Sequence, residues 1–426
     1  MVTLMHTLQQ KLYSFLRWSE KYTKTDMVYL THGGFWLSLG TLATALCSFG
    51  LSLAFANFIP AAVYGTYKYI LSIASVFNAF TLTGLATAVV VGVSSGKEGV
   101  MKQAFWANLR WSIPTSTAAF IGALYYFYQG NTPLGVSLIL IAFIQPITVS
   151  VAFADSFLAG KKAFKLNALN YIIDNAVPTL ALVGVMLISK NALLIIATYF
   201  LANLATTTGM YWYVVHRFKP NTTEDDSAIT YGKHLSAMGV LTNLADNFDK
   251  ILTFHFLGPA QLAIYSFALA LPMQSKLITK PLGNLLFPKF VARSSTELRQ
   301  SMGEKTLRFF LFSIVMSFGY ILIAPFAFSL FYPHYTNAVW LSQIFAISLL
   351  GISFVPMGTF LSAKRKVRAQ YATNIITSVF QLVSAFFGMI FLGLLGLILS
   401  RVATRFLGGI ISVFFYYTDQ KEEHTP

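Results

Sequence analysis

The residues of this sequence that are best placed to do chemistry are charged side chains inside otherwise apolar stretches. An ion near the centre of a bilayer costs about 2.5–3.5 kcal/mol on insertion scales, so such charges usually face a cavity, a partner or a transport pathway. Seven cations and four anions lie in such stretches: Lys68, Arg110, Lys250, Lys276, Lys280, Arg401 and Arg405, and Asp155, Asp174, Asp246 and Asp249. The excess of cations predicts an interior that attracts anionic ligands, with pyrophosphate as the main candidate.

One of these stretches carries a polar stripe. Asn243, Asp246, Asn247 and Lys250 are spaced i, i+3, i+4 and i+7, which places them on one face of a helix. Asp246 and Lys250 can pair along that helix, while Asp249 lies on a neighbouring face. Two interpretations remain open for these charges, because they could form a structural ion pair with a neighbouring helix or a functional ion-coupling or substrate site.

Four cations later in the chain are candidates for binding phosphate. Lys276 and Lys280 are four residues apart, hence on one helical face, in a stretch without an acidic residue. We expect them to bind a substrate phosphate, the alternative being that Lys280 extends to the cytoplasmic surface. The guanidinium groups of Arg401 and Arg405 are suited to phosphate oxygens, but Arg401 could equally pair with Asp174 or another buried acid.

Three further positions have open roles. Arg110 precedes Trp111, so substrate contact, a cation–π contact and extension to the membrane interface are all consistent with its position. Asp174 shares a helical face with Asn170, which suits a hydrated cavity wall or hydrogen bonds between helices. Asp174 and Asp246 are the candidates for carrying a coupling proton.

Two other charges are expected to be structural. Lys68 lies at the outer edge of the second apolar stretch, where it would anchor that helix at the interface. Asp155 is close to Lys161 and Lys162, and we expect it to pair with that basic loop.

The elements that must position these side chains are membrane-spanning helices. The chain of 426 residues is 56% hydrophobic and only 11% charged, with a mean hydropathy of +0.63. Soluble domains carry about 25% charged residues, so a soluble enzyme and a disordered chain are both excluded. Runs of about 20 apolar residues predict about twelve transmembrane helices and an all-α integral membrane fold. They are 33–57, 68–93, 104–128, 134–158, 167–189, 192–215, 235–257, 262–286, 309–331, 337–361, 371–391 and 394–417.

The segments between these runs predict the orientation. Those on one side hold 22 of the 30 lysine and arginine residues, and those on the other side hold only Lys190. The positive-inside rule therefore places both termini in the cytoplasm. We divide the chain into a cytoplasmic amphipathic arm, an N-lobe, a polar cytoplasmic linker, a C-lobe and a cytoplasmic tail: 1–32, 33–215, 216–234, 235–417 and 418–426.

An internal repeat supports the division into two lobes of six helices. Residues 156–173 align without a gap to residues 359–376, at an offset of 203. Identical pairs include Phe157/Phe360, Leu158/Leu361, Lys161/Lys364 and Ile172/Ile375. Both copies join helices of matching position and direction, so the two halves are predicted to be parallel repeats around a central cavity.

Short motifs resemble those of a known family. They are Tyr64-Gly65-Thr66-Tyr67 with Thr83-Gly84-Leu85, Asp249-Lys250-Ile251-Leu252 with Leu257-Gly258 and Tyr265, Phe287-Pro288, and Leu158 and Gly160-Lys161 with Leu361 and Ala363-Lys364. The chain resembles the polysaccharide biosynthesis, Wzx-type oligosaccharide flippases of the multidrug/oligosaccharidyl-lipid/polysaccharide exporter superfamily. The resemblance implies alternating access and movement of an undecaprenyl-pyrophosphate-linked oligosaccharide across the bacterial cytoplasmic membrane. It also implies that cationic lumen residues meet the pyrophosphate, and Lys276, Lys280 and Arg401 fit that role by location.

Other functions remain as alternatives. A cation-coupled drug exporter of the same superfamily should have an acidic and aromatic site, and a membrane glycan polymerase or ligase needs a larger external loop than this chain offers. We expect no enzymatic activity, catalytic residue, metal or cofactor, because no HExxH, Walker or CxxC motif occurs. The expected partners are the lipid-linked oligosaccharide, membrane lipid, and the polysaccharide polymerase and chain-length machinery, but no nucleic acid, although the net charge is +15.

Overall fold

The protein is described from a computed structural model that covers residues 27–275, 277, 282, 286–287, 290–291, 295–364 and 366–422. Most of the predicted arm, the two lysines Lys276 and Lys280, and the end of the predicted tail lie outside these residues. In the part of the chain that is covered, every regular element is a helix. The fold is therefore that of an all-α membrane protein, as the apolar runs predict.

Sixteen α-helices and two 3₁₀ helices are described in these ranges. The N-terminal half contains α1 Met27–Phe58, α2 Ala61–Ala79, α3 Leu85–Ser94, α4 Val100–Trp111, α5 Ile113–Tyr128, α6 Thr132–Val151, α7 Phe153–Gly160, α8 Phe164–Ile188 and α9 Ala192–Phe218. The C-terminal half contains α10 Asp226–Leu257, α11 Pro259–Met273, α12 Ser295–Phe331, α13 Val339–Ala346, α14 Val355–Ala363, α15 Val367–Leu392 and α16 Leu394–Glu422. The 3₁₀ helices, Pro333–Ala338 and Ile347–Phe354, flank α13.

Eight continuous helical segments of the described chain are long and apolar enough to cross a membrane. They are Gly34–Phe58, Thr132–Gly160, Phe164–Ile188, Ala192–Phe218, Gln300–Phe331, Pro333–Ala363, Val367–Leu392 and Leu394–Thr418. The remaining four of the twelve predicted runs have identifiable reasons for falling short. The runs 68–93 and 104–128 are each divided between two helices, α2 with α3 and α4 with α5. The run 235–257 lies on α10 and carries charged residues. The run 262–286 is only partly described.

The break between α2 and α3 lies near the middle of the second predicted span. The backbone N–H of Leu82 donates to Asn108 Oδ1 at 2.9 Å, and Asn108 Nδ2 donates in turn to Ser150 Oγ at 2.9 Å. The N–H of Gly84 donates to Ser236 Oγ at 2.9 Å. Because side chains of other helices satisfy these donors, non-helical backbone can persist at membrane depth.

The internal repeat is confirmed at the level of individual hydrogen bonds. In the first copy, the N–H groups of Lys161 and Ala163 donate to the carbonyls of Phe157 and Leu158 at 2.9 and 3.0 Å. In the second copy, Lys364 and Lys366 donate to Phe360 and Leu361, both at 2.9 Å. The next helices, α8 and α15, begin at the aligned positions Phe164 and Val367. The same sequence pattern therefore builds the same helix ending twice.

The linker between the halves is short and held against the N-terminal half. Only residues 219–225 separate α9 from α10, so α10 begins inside the segment that the sequence assigns to the linker. Lys97, in the loop after α3, forms an ion pair with Asp225 at 2.9 Å. Hydrogen bonds from Ser227, then from Lys97 and from the N–H of Ala228, lower the pKa of Asp225 to about 2.

The two halves meet closely at both ends of the molecule. At the linker end, a Cβ on Gly84 would lie 2.4 Å from the carbonyl oxygen of Gly232. At the opposite end, a Cβ on Gly65 would lie 1.7 Å from the carbonyl oxygen of Pro259. Both approaches therefore require glycine. The charged residues of the site lie between these two contacts.

Candidate functional site

The centre of the site is a buried ion pair between α10 and α16. Asp249 is 1% exposed and Arg401 is 8% exposed. Arg401 Nε–H donates to Asp249 Oδ2 and, at 3.0 Å, to Tyr265 Oη, while the hydroxyl of Tyr265 donates to Asp249. Arg401 also donates through Nη2 to the carbonyl oxygen of Asp246 at 2.8 Å. This arrangement neutralises both charges and joins α10, α11 and α16.

Arg401 is therefore committed to a protein partner in this structure. The sequence left open whether it binds substrate or pairs with an acid such as Asp174, and the acid that it contacts is Asp249. A buried arginine that has both a carboxylate and a carbonyl partner offers little unsatisfied charge to a ligand.

Lys250 has a different environment, because it contacts only neutral acceptors. Its Nζ donates to Asn247 Oδ1 at 3.0 Å and to the carbonyl oxygen of Asp246 at 3.3 Å. The carboxylate of Asp246 is exposed and does not form the ion pair with Lys250 that the i, i+4 spacing allows. The helix backbone takes the place of that carboxylate, so the ammonium of Lys250 keeps its net charge.

Lys68 is a cation near Lys250 that the sequence analysis did not include among the site residues. It was expected to be an interfacial anchor, but α2 begins at Ala61, which places Lys68 two turns inside the helix, about 10 Å from its start. It is half-buried, its Nζ lies 5.3 Å from the centre of the Tyr64 ring, and it is close enough to repel Lys250 electrostatically. The signal that could have located it is the earlier helix start at Pro60, a residue that favours the first turn.

Arg405 lies one turn after Arg401 on α16. Its Nη1 donates to Ser348 Oγ at 2.8 Å, and its guanidinium lies 4.7 Å from the centre of the Phe345 ring. Among the described residues, Lys68, Lys250 and Arg405 form no ion pair with a carboxylate. We call these three residues the unpaired cations. Lys68 and Lys250 come from different halves and lie close enough to repel each other, whereas the contacts of Arg405 lie within the C-terminal half.

The other predicted site residues lie apart from this group or outside the described residues. Arg110 is exposed on α4, and no contact joins it to the unpaired cations. Asn243 donates to the carbonyl of Gly239 at 2.9 Å, a bond within α10. Asn247, by contrast, connects the halves, because its Nδ2 donates to Ser75 Oγ on α2 at 3.0 Å.

A second polar cluster lies inside the N-terminal half. The amide Nδ2 of Asn170 donates to Asp155 and, at 2.9 Å, to Asp174 Oδ2. Asp155 therefore contacts Asn170, and it does not form the predicted pair with the basic loop, whose Lys161 contacts Glu98 instead. Within the described part of the chain, no cation pairs with Asp155 or Asp174, so two acidic groups share one neutral donor.

More than half of the chain matches a known family. Residues 30–294 match the family described as polysaccharide biosynthesis protein. The chain belongs to this family. No curated protein sequence matches the chain. As a member of the family with eight described apolar spans, it is a multi-pass membrane protein.

Solved structures confirm the fold of this family member. It is similar to an inward-facing multidrug resistance MATE transporter of the MOP superfamily, with TM-score 0.63, 12% identity and 92% and 100% of the two chains covered. It is also similar to the lipid II flippase MurJ in an inward closed conformation, with TM-score 0.61, 11% identity and coverage of 88% and 86%. A MOP superfamily transporter from Pyrococcus furiosus, whose binding pocket is described as having reverse polarity, gives TM-score 0.55, 13% identity and coverage of 92% and 94%. At these identities the likeness concerns the fold alone.

Proposed function

We propose that this protein is a flippase that moves an undecaprenyl-pyrophosphate-linked oligosaccharide across the bacterial inner membrane for surface polysaccharide biosynthesis. The observation that carries the proposal is the group of unpaired cations in a polysaccharide biosynthesis family member: Lys68 and Lys250, which lie close together on different halves, and Arg405 on α16. Cations that contact only neutral acceptors in a low-dielectric interior attract an anion strongly. The pyrophosphate of a lipid-linked sugar supplies such an anion, and the protein needs no chemical step to move it.

The substrate would enter from the cytoplasmic side and be released outside by alternating access. In this proposal the pyrophosphate contacts the unpaired cations. Lys276 and Lys280, which lie outside the described residues, stay candidates for binding the phosphate on the strength of their spacing in the sequence. Arg401 would hold α10 and α16 in place, and Arg110 would meet the substrate at the inner rim. Both termini would lie in the cytoplasm, and the exported glycan would pass to the polysaccharide polymerase and chain-length machinery.

Asp174 is our candidate for coupling transport to an ion gradient. It shares the amide of Asn170 with Asp155, and its Oδ1 is buried without a hydrogen-bond partner. Two carboxyl groups that share one neutral donor are stabilised by a proton or a small cation between them. Asp246, exposed on α10, is the second candidate.

The flipping experiment uses proteoliposomes that contain a short undecaprenyl-pyrophosphate-linked oligosaccharide in one leaflet. The double variant Lys68→Gln/Lys250→Gln should lose most transfer to the other leaflet, whereas Lys190→Gln, which removes an exposed cation elsewhere, should retain it. Asp174→Asn should lose the stimulation that an imposed proton gradient gives to the wild type. Full transfer by the double variant, or uptake of a cationic drug in place of the lipid, would refute the assignment.

A further inference from the structure

The N-terminal half contains a cavity that the proposed pyrophosphate site does not use. It has a volume of about 260 Å³ and lies between α2, α6 and α9, beside the break that follows α2. Its polar lining consists of Ser75, Asn78, Gln145, Thr148, Tyr199 and Asn203. None of its lining residues carries a charge, so the cavity is suited to a neutral ligand that forms hydrogen bonds.

One polar atom of this cavity has no partner in the protein. Gln145 Nε2 donates to the carbonyl oxygen of Ala74 at 2.6 Å, which fixes the amide, but its Oε1 is buried and accepts no hydrogen bond. A buried acceptor without a partner costs about 1–3 kcal/mol. Oε1 has almost no exposed surface, so a ligand hydroxyl would have to shift the Gln145 side chain to donate to it, and the hydrogen bond so formed would offset this cost.

Aromatic rings complete the lining. Tyr199 and Phe200 lie on α9 beside Asn203, whose Nδ2 is held by the carbonyl of Tyr199 at 2.7 Å. A ring beside fixed amide groups is suited to a molecule with an apolar face and hydroxyl groups at its edge, which is the chemistry of a pyranose. The volume is below the 300–1,000 Å³ that is usual for drug-sized ligands, so it favours a single sugar ring over a longer chain.

The cavity lies close enough to Lys68 and Lys250 for one substrate molecule to contact both the cavity and these cations. Lys68, Leu71, Ser75 and Asn78 follow i, i+3, i+7 and i+10, so the cation and the cavity lie along one face of α2. Lys68 and Ser75 are about 10 Å apart along the helix axis. A hydrogen-bonded chain connects the two sites, since Asn247 contacts both Ser75 and Lys250 at 3.0 Å.

We propose that this cavity binds the first neutral hexopyranose of the substrate, the sugar attached to the pyrophosphate. The proposal rests on the flippase function proposed above and adds a specificity site to it. Gln145 and Asn203 would bind hydroxyl groups, and Tyr199 would pack against the face of the ring. The pyrophosphate would then remain at Lys68 and Lys250.

The experiment measures binding to the purified full-length protein in nanodiscs. The probes are undecaprenyl pyrophosphate alone and the same lipid carrying one glucose, galactose or N-acetylglucosamine. The wild type should bind at least one of the glycosylated lipids more tightly than the bare lipid. Gln145→Leu should weaken that complex roughly 3- to 10-fold, as expected for one hydrogen-bonding side chain, and leave the bare lipid unaffected.

Control variants separate the possible outcomes. Gln129→Leu removes an exposed glutamine of the same half, whose side chain donates to the hydroxyl of Tyr125 at 3.1 Å, and should change neither affinity. If Gln145→Leu does not yield monodisperse protein, Asn203→Thr tests the same cavity from α9. Equal affinities for bare and glycosylated lipids, or glycosylated-lipid binding that neither variant weakens, would refute the sugar site and leave a hydrated cavity. If neither class of lipid binds the wild type, the flippase proposal fails as well.

Discussion

The ion pair between Asp249 and Arg401 gives a quantitative prediction about which buried cation is structural. Removing one partner of a buried pair leaves an uncompensated charge and costs about 3–5 kcal/mol. Asp249 and Arg401 are 1% and 8% exposed, so solvent can do little to reduce this penalty. Arg401→Ala should therefore lower the free energy of unfolding by that amount, measured by SDS titration of the protein in mixed micelles.

A double-mutant cycle isolates the pair. Asp249→Ala/Arg401→Ala should be destabilised by about 2–3 kcal/mol less than the sum of the single variants, because it leaves no buried charge unpaired. Arg308→Ala is a matched control, since Arg308 pairs with Glu304 one turn away on an exposed face of α12, and it should cost less than about 0.5 kcal/mol.

The refuting result would be an Arg401→Ala variant that unfolds at the same SDS fraction as the wild type but binds undecaprenyl pyrophosphate at least about tenfold more weakly. Arg401 would then contact the substrate, and stabilising the fold through the ion pair would not be its main role. For Lys250→Gln we expect that same pattern, with stability kept and lipid binding lost, whereas Arg401→Ala should lose stability.

Two further predictions concern the contacts near the linker. Gly84→Val should force the two halves apart at this contact. A reporter cysteine introduced by Ser236→Cys should then react faster with a membrane-impermeant maleimide. Gly184→Val is the control, since Gly184 has open space beside it, and it should leave the reaction rate unchanged. The pKa of Asp225 is about 2 in the folded protein and about 3.9 in the unfolded chain. The ionised carboxylate therefore contributes its full stabilisation at pH values above about 3.9, and this contribution is lost as pH falls through about 2. The difference in Tm between wild type and Asp225→Asn should stay constant from about pH 8 to pH 5 and narrow only below about pH 4. A difference that disappears near pH 6 would contradict the contribution of the Asp225–Lys97 pair.

The fold was largely predictable because hydropathy and repetition are local signals. The apolar runs located the helices, and the repeat at offset 203 predicted two matching helix endings, both of which the hydrogen bonds of Phe157 and Phe360 confirm. The break after α2 was less predictable, since its donors are satisfied by Asn108 and Ser236 from distant parts of the chain. Helix breaks of this kind depend on tertiary partners and leave little trace in hydropathy.

The site was less predictable because partner choice is not local. Arg401 and Asp249 are 152 positions apart, and the sequence offers several buried acids at comparable depth. The i, i+4 spacing of Asp246 and Lys250 allowed an ion pair, but the lysine contacts the backbone and an amide. Spacing along one helix determines which groups share a face, whereas packing between helices determines which of them meet.

The structure separates two kinds of buried cation that look alike in sequence. Arg401 is neutralised, because its Nε–H donates a hydrogen bond to the carboxylate of Asp249. Lys250 and Arg405 have their N–H groups satisfied by an amide, a carbonyl and a hydroxyl, none of which carries a negative charge. Hydrogen bonding to neutral acceptors removes the cost of an unmade bond but leaves the cost of a buried net charge. Asp249 and Asp246 offset part of that second cost for Lys250, and Asp246 offsets part of it for Arg405. An anion from outside the fold would offset the remainder, and under the proposed function that anion is the pyrophosphate.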